Sequence, residues 1–361
     1  MFLPGDINPP FQDSVRQPAA LLTVNGVPVP GMIEMEVTNN THFASDTFRV
    51  VLAASLLPPG LGPEYWASSL NDRIGLSAGF SNERAMPLIL GQADDIDYDP
   101  VRRTITVTGR DLSAPLIDAK TAEKFVNQTA SQIAETLARR RGLVPEVTAT
   151  QTKAGVYYSA DHVVLTQEMT EWDLLTYLAE QEGFDLWVSG DRLHFAPSPL
   201  DTNPAYKLEW LDGASNAVDL RLSRSQTLAK DVVVVVRSWN QKLQRSFKVT
   251  FKVAQASKSQ RAGGLAQLYS FNVPNLTRDQ CLALAKAKAE EITRHERVLT
   301  ASLPGDSVLT TRAMVHLIGL GAGWDMMYYP DSVTRRISFE EGYRMELRAK
   351  NHATQSTVVI G

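Results

Sequence analysis

The chain has 361 residues, of which 43% are hydrophobic and 21% charged, and its formal net charge is −4. This length indicates roughly two to four domains, and the composition excludes a disordered chain. The acidic balance disfavours a specific DNA-binding role, because such proteins usually carry a basic excess. The single cysteine, Cys281, excludes an intrachain disulfide.

The first residues and the apolar runs indicate in which cellular compartment the protein folds. The opening segment lacks a basic region followed by an apolar core, so we expect no secretory signal in MFLPGDINPP. The apolar run Val232–Val236 is far too short to span a bilayer. We therefore expect a protein that folds in a cytoplasm. Residues Met1–Pro18 read either as an extended arm on a neighbouring subunit or as a frayed terminus.

The first third of the chain has the pattern of short strands. Polar and apolar residues alternate with period two in Thr104–Thr108, and Asn25-Gly26 suits a tight hairpin turn. Pro58–Pro63 breaks the pattern before a short predicted helix at Tyr65–Leu70. We expect a small β-barrel through about residue 116. Its predicted strands are Leu21–Val29, Ile33–Thr38, Thr47–Ala53, Asp72–Phe80, Leu88–Ile96 and Thr104–Thr108.

Two helices with clear start signals follow. Thr129 opens a capping box at the first helix, and Thr170 begins the second. The basic run Arg139–Arg141 complements the negative end of the first helix dipole, which is a simpler interpretation than phosphate binding. Phe184–Ala196 has the pattern of a hairpin. These elements predict a small α+β module.

The β pattern returns at Tyr206. Val232–Val236 lacks alternation, so we expect a strand that is covered on both sides. Gln255–Gly264 is predicted to be an exposed loop, and a third helix should begin at Thr277 and run to about Val298. The predicted strands of this region are Leu208–Leu211, Val218–Ser223, Asp231–Arg237, Phe247–Val253, Ala313–Ile318, Met326–Tyr329, Ser332–Phe339 and Tyr343–Ala349.

Two segments resemble catalytic motifs but lack the partners that those motifs need. Gly305–Val308 resembles the nucleophile block of GDSL-type hydrolases, yet neither His316 nor His352 has an aspartate three positions earlier. The glycines of Gly319–Gly323 precede a strand pattern, whereas a dinucleotide site needs a helix there. We expect no catalytic residue, no cofactor site and no enzymatic activity.

An acidic row, Asp94, Asp95, Asp97 and Asp99, is the best candidate for a metal site. Three of these aspartates share one strand face, and hard cations prefer clustered carboxylates. The glycine and glutamate that a calcium loop needs are missing, so we favour a solvated acidic face and expect no metal site.

The histidines are scattered along the chain, without metal-binding spacing. Glu168 and Glu171 flank the start of the second helix, and His162 lies upstream of it. Distant carboxylates cannot be paired from the sequence, so a glycosidase site stays open but without support. The histidines are His42, His162, His194, His295, His316 and His352.

The stretch Leu88–Asp118 reads as a strand, a polar turn, a second strand and a helical exit. Asp99-Pro100 ends the first strand, and Gly109-Arg110-Asp111 ends the second. A strand–turn–strand that closes on G-R-D after a G-x-x-D-D segment resembles the baseplate hub proteins of contractile-tailed phages. This is the late control protein D family, with its Mu-like tail hubs. The order of elements across most of the chain resembles the same family.

The resemblance implies an α+β, mainly β fold with two small β-barrel-like tube domains, an α+β module and a helix-containing insert. The final stretch, YYPDSVTRRISFEEGYRMELRAK, echoes the closing hairpin of the first β-domain with its Pro/Asp turn and Arg-Arg pair. The implied domains are 1–117 for the first tube domain with its N-terminal arm, 118–204 for the module, 205–240 and 300–361 for the second tube domain, and 241–299 for the insert.

By the same resemblance, the chain would be a structural baseplate hub. A homotrimer would act as a symmetry adaptor between the six-fold tail tube and a three-fold central spike, and it would form part of the channel for genome delivery. Its partners would be the tail tube protein, the spike protein, other baseplate proteins and the tape measure protein. DNA would pass through the lumen without sequence-specific binding, and the Asp94–Asp99 face would line the channel in one hypothesis. It would be located in the virion after assembly in the bacterial host cytoplasm. The equivalent core of a tailocin or of a secretion machine is an alternative within the same family.

The alternative is a tail-associated cell-wall hydrolase or carbohydrate-binding protein. That function would require an acid/base pair in a cleft. Activity of the purified protein on peptidoglycan separates the two hypotheses.

Overall fold

The computed structural model describes most of the chain. The described ranges are 17–41, 43–81, 84–120, 123, 125–151, 153–154, 169–197, 205–211, 215–225, 232–253, 267–293, 296–321, 323–351 and 357–359.

The protein is mainly β with a few helices, which confirms the predicted fold class. The strands are β1 (Pro18–Val24), β2 (Val27–Pro28), β3 (Met32–Asn40), β4 (Thr47–Ala53), β5 (Arg73–Phe80), β6 (Met86–Asp99), β7 (Thr104–Asp111), β8 (Val144–Val147), β9 (Phe184–Ser189), β10 (Arg192–Pro197), β11 (Ala205–Glu209), β12 (Asp219–Arg224), β13 (Val232–Asn240), β14 (Arg245–Val253), β15 (Gln267–Asn272), β16 (Arg297–Pro304), β17 (Met314–Ile318), β18 (Met327–Ser338), β19 (Gly342–Asn351) and β20 (Thr357–Val359). The helices are α1 (Pro63–Trp66), α2 (Ala114–Asp118), α3 (Ala130–Arg140), α4 (Glu171–Glu182) and α5 (Arg278–Thr293).

Both β regions lie in one sheet of thirteen strands, in the order β12-β16-β19-β18-β3-β4-β7-β6-β5-β1-β2, with β17 beside β18 and β11 beside β17. Apolar residues alternate along these strands, so the sheet buries one face in two clusters. Leu52, Ile74 and Val107 belong to the first cluster, and Leu299, Val333 and Leu347 belong to the second. The Asn25-Gly26 turn is confirmed, because both residues have positive φ and Val24 pairs with Val27 across it.

The two halves of this sheet repeat one strand order. In the first half, β3, β4, β7, β6, β5 and β1 are successive neighbours, and in the second half β12, β16, β19, β18, β17 and β11 follow the same sequence. With the two-residue strand β2 left out, each half numbered along the chain reads 2-3-6-5-4-1. Four of the five pairings are antiparallel in both halves, and only the last differs, since β1 is antiparallel to β5 whereas β11 is parallel to β17.

The α+β module places two helices on a three-stranded sheet of β8, β10 and β9. Thr129 forms the predicted capping box, and Thr170, the predicted start of the second helix, forms another. Each hydroxyl accepts a hydrogen bond from the backbone amide three residues later. Gly183 ends α4 in the left-handed conformation, at a φ of 69°. The predicted hairpin is confirmed as β9 and β10.

The insert is a four-stranded sheet, β15-β13-β14-β20, on which α5 packs. Val232–Asn240 pairs with β14 and β15 and not with the large sheet, so we propose that the insert begins before Val232, not at residue 241. The prediction that the third helix runs to Val298 is wrong. The helix ends at Thr293, because Arg297 already begins β16 and pairs with β12.

In the part of the chain that the structure describes, no helix is both long and apolar enough to cross a membrane.

Candidate functional site

The two halves of the large sheet meet at an antiparallel joint between β3 and β18. Thr38 lies opposite Thr334, and their hydroxyls are 3.0 Å apart. On the same face, the Arg336 guanidinium donates to the Glu36 carboxylate at 2.7 Å. This joint makes the two repeats one continuous surface.

Arg335 supports the joint from the buried face. Its side chain is only 2% exposed, and its guanidinium donates to the carbonyl oxygens of Asp306 and Leu309 and, at 3.0 Å, to Oδ1 of Asn39. It therefore ties the 306–309 turn to β3. No sequence motif indicated this role, because Arg335 and Arg336 read alike as a basic pair beside a strand.

The closing hairpins of the two repeats share a β-bulge at an aspartate. Asp94 bulges out of β6 and Asp331 out of β18. Arg110 on β7 contacts Asp94 at 2.7 Å, and Lys350 on β19 contacts Asp331 at 2.9 Å. A bulge neutralised by a cation from the neighbouring strand is thus common to both repeats, and it sets their residue-by-residue alignment.

A second pair of equivalent bonds supports this alignment. The backbone amide of Asp46 donates to Oδ2 of Asp111 at 3.0 Å, and the backbone amide of Arg297 donates to Oδ1 of Asn351 at 2.8 Å. Asp111 and Asn351 are the last residues of β7 and β19. Each side chain therefore holds the start of the strand beside its hairpin, which extends the correspondence across a third strand.

The pairing of β6 with β7 explains each residue of the Gly109-Arg110-Asp111 segment. A Cβ at Gly109 would lie 2.0 Å from the carbonyl oxygen of Gln92 and 2.7 Å from the Phe48 ring, so only glycine fits. Arg110 neutralises the bulge, and Asp111 also accepts the backbone amide of Ser113 at 2.9 Å, which turns the chain out of the sheet. The motif is structural.

The four aspartates of the acidic row differ in their contacts. Among the described residues, no group of three or more His, Cys, Asp or Glu side chains is placed to hold a metal ion. Asp94 contacts Arg110, Asp99 accepts the backbone amides of Val101 and Arg102 in the hairpin turn, and Asp95 and Asp97 are exposed. The row is a solvated acidic face, as favoured by the sequence.

In the hydrolase-like block Gly305–Val308, Gly305 and Asp306 are buried, whereas Val308 is exposed. The Asp306 carboxylate accepts the Tyr206 hydroxyl at 2.7 Å and the backbone amides of Val308 and Leu309. A Cβ at Gly305 would lie 2.2 Å from the Tyr343 ring. These contacts explain the glycine and the aspartate of the block by packing and hydrogen bonding, without a nucleophilic serine.

The basic run Arg139–Arg141 pairs with carboxylates of the same module. Arg141 contacts Glu171 at 2.6 Å, and Arg140 contacts both Glu171 and Glu123. Glu171, considered above for a glycosidase pair, is therefore held in this ion network. His162 and Glu168 lie outside the described residues, as do His42, His295 and His352, while His194 stacks on Trp187 at 4.6 Å.

Comparison with known proteins identifies a family. The model of the Alg8 N-terminal domain family matches residues 73–338, from the first residue of β5 to the last of β18. The chain belongs to the Alg8 N-terminal domain family. No curated protein matches its sequence. Membership of the late control protein D family stays a prediction.

Solved structures share the fold of this Alg8 N-terminal domain family member. The tail protein from Neisseria meningitidis is 15% identical with a TM-score of 0.69, and the alignment covers 93% of this chain and 97% of that one. The 43 kDa tail protein of prophage MuSo2 from Shewanella oneidensis is 16% identical with a TM-score of 0.67, covering 92% and 98%. An E. coli type VI secretion component, described as similar to the T4 tail proteins gp27 and gp5, is 11% identical with a TM-score of 0.57, covering 92% and 77%.

Asp46 makes the stability of the first repeat depend on pH in a way that the equivalent residue of the second repeat does not. Burial and the neighbouring Asp111 carboxylate raise the pKa of Asp46 to about 7, from an ordinary value of 3.8. The folded protein then holds a proton that the unfolded chain has released, so stability falls as pH rises from about 4 to about 7. The equivalent position is Arg297, which has no carboxyl proton to hold.

We expect Asp46→Asn to flatten this loss of stability. Urea unfolding between pH 4 and pH 7 should show the unmodified protein losing on the order of 2 kcal/mol more than the variant, a discounted value because Asp46 is half-buried. Asp95→Asn removes an exposed carboxylate of the same sheet and serves as the control. Parallel pH profiles for Asp46→Asn and the unmodified protein would contradict the assignment.

Proposed function

We propose that the chain is the structural hub of a contractile-tail baseplate. The observation that carries the proposal is the pair of repeats with one strand order, joined edge to edge through β3 and β18. Each copy then presents two similar units side by side. Three copies present six, which matches a six-fold tube on one side while the trimer itself matches a three-fold spike on the other.

The fold shared with two tail proteins and a secretion component supports this role. In this proposal the tube domains are the two β repeats, and the α+β module and the insert face other parts of the baseplate. Its partners are further copies of itself, the tail tube protein, the spike protein, other baseplate proteins and the tape measure protein. The protein resides in the virion and is assembled in the host cytoplasm.

The charge of the chain suits a channel wall. A net charge of −4 gives the surface no excess of cations to hold phosphates, so DNA passes through the lumen without sequence-specific binding. The function of this protein lies in complementary interfaces and involves no reaction chemistry.

The first test is the solution mass of the full chain, measured by light scattering with and without a candidate spike protein. We expect a species of three times the 39.8 kDa chain that binds a trimeric spike. A monomer at every concentration, without affinity for the spike and with activity on peptidoglycan, would contradict the hub and favour the hydrolase.

A further inference from the structure

Two of the strand edges that have no strand partner in the described part of the large sheet belong to β12 and to the outer half of β6. β12 is the terminal strand of the sheet and pairs with β16 on one side. The outer half of β6, Asp95–Asp99, pairs with β7, while β5 reaches β6 only as far as Gln92. Exposed edges present free backbone donors and acceptors and are places where another strand can add.

These two edges correspond to the two strands of the internal joint. β12 takes the place in the second repeat that β3 takes in the first, and β6 takes the place of β18. The shared bulge aligns Asp97 with Thr334 and Asp99 with Arg336. The pairing of β12 with β16 and of β3 with β4 likewise aligns β12 with β3. The equivalent residues are Asp219 and Glu34, Leu220 and Met35, Arg221 and Glu36, Leu222 and Val37, and Ser223 and Thr38.

We propose that β12 of one copy pairs antiparallel with the outer half of β6 in the next copy, repeating the β3–β18 joint between subunits. The register places Ser223 opposite Asp97 and Arg221 opposite Asp99. This inference rests on the proposed assembly of identical copies, and it specifies which residues meet. Each copy carries one edge of each kind, so the contact is head-to-tail, and the three-fold rotation of the proposed trimer would close it into a ring.

The charges of the two edges fit this register. In the internal joint, Glu36 on β3 contacts Arg336 on β18. At the corresponding positions the signs are exchanged, with Arg221 on β12 and Asp99 on β6. Asp97 lies diagonally across from Arg221, within reach of its long side chain.

The faces of the two edges also match. Leu220 and Leu222 are half-buried on the core side of β12, and Ile96 is half-buried on the core side of β6. Arg221, Ser223, Asp95 and Asp97 are all exposed on the other face. A one-residue slip would place Leu220 and Leu222 on the same face as Asp95 and Asp97, so the alternation selects the register.

Paired cysteines in the full chain test the joint. Residues opposite each other on antiparallel strands have Cα atoms about 4.5–5.5 Å apart, which is within disulfide range. After mild oxidation, Asp97→Cys/Ser223→Cys should give dimers and trimers on non-reducing gels that disappear on reduction. Cys281 is buried and stays in every variant. Single Asp97→Cys and Ser223→Cys chains should cross-link when assembled together, and neither should do so alone.

Two matched controls test whether opposite positions allow a disulfide and whether cross-linking depends on the register. Thr38→Cys/Thr334→Cys reproduces the pair inside one chain and should form a disulfide that leaves the protein running as a monomer. Asp97→Cys/Asp219→Cys keeps the same exposed face but shifts one cysteine by four residues, roughly 13 Å along the strand, and should not cross-link.

The outcomes separate this inference from the proposed function. A trimer by light scattering with the in-register cross-link supports both. A trimer whose cysteines stay free, or that cross-links only in the shifted pair, overturns the strand joint and leaves the hub standing. A monomer without a cross-link, alone and with the spike protein, overturns both.

Discussion

Arg335→Met should lower the free energy of unfolding by about 3 kcal/mol, because it removes a donor that several buried acceptors share. The guanidinium is the partner of two backbone carbonyl oxygens, at Asp306 and Leu309, and of the Asn39 side chain. Methionine keeps the stem of the side chain and its packing while it leaves those acceptors without that donor. Urea unfolding at constant pH measures the loss.

Arg336→Met is the matched control for this change. Arg336 is the next residue of the same strand, but it points to the exposed face and contacts Glu36. Exposed ion pairs contribute little, so we expect a change within about 1 kcal/mol. Equal losses for the two variants would mean that the buried contacts of Arg335 do not support the joint.

Arg221→Glu should lower the trimerisation constant by about a hundredfold or more. The change replaces an attraction to Asp99 and Asp97 with a repulsion at each of three equivalent joints, and cross-strand charge pairs contribute up to about 1 kcal/mol each. The loss should be smaller in high salt, because exposed charges are screened. Light scattering over a range of concentrations measures the effect.

The compensating variant tests the partner of Arg221. Arg221→Glu combined with Asp97→Lys should recover part of the trimer, since it restores opposite charges on the diagonal between positions 221 and 97, while Asp99 stays opposite position 221. Asp97 is chosen because Asp99 accepts two backbone amides in the hairpin turn, and its loss would disturb the turn itself. Arg245→Glu makes the same charge change on an exposed position of another sheet and should leave the trimer unchanged. A loss with Arg245→Glu as large as with Arg221→Glu would contradict the predicted contact.

Local patterns predicted the elements well where the signal lies within a few residues. The predicted capping box at Thr129, the predicted helix start at Thr170 and the Asn25-Gly26 turn are present, because their hydrogen bonds and φ angles are set by neighbouring residues. The end of the third helix was wrong, since nothing near Thr293 shows that the following residues are drawn into a strand. That strand depends on partners far along the chain.

The candidate site was only partly visible in the sequence. The acidic row was recognised, and its alternation placed Asp95 and Asp97 on one exposed face. The echo between the two closing hairpins was also seen. Its meaning depended on the bulges at Asp94 and Asp331, which appear only when each strand is paired with its neighbour.

The sequence by itself determined the mainly β class, the caps and turns, and the alternation that gives each strand a buried and an exposed face. Those properties follow from contacts between residues close in the chain. Tertiary structure alone decided that the two β regions share one strand order, that Arg335 and not Arg336 is buried, and that β12 and the outer half of β6 each present an unpaired edge. Strand order and register depend on pairings between distant segments, and a shift of one residue would exchange the faces of an entire strand.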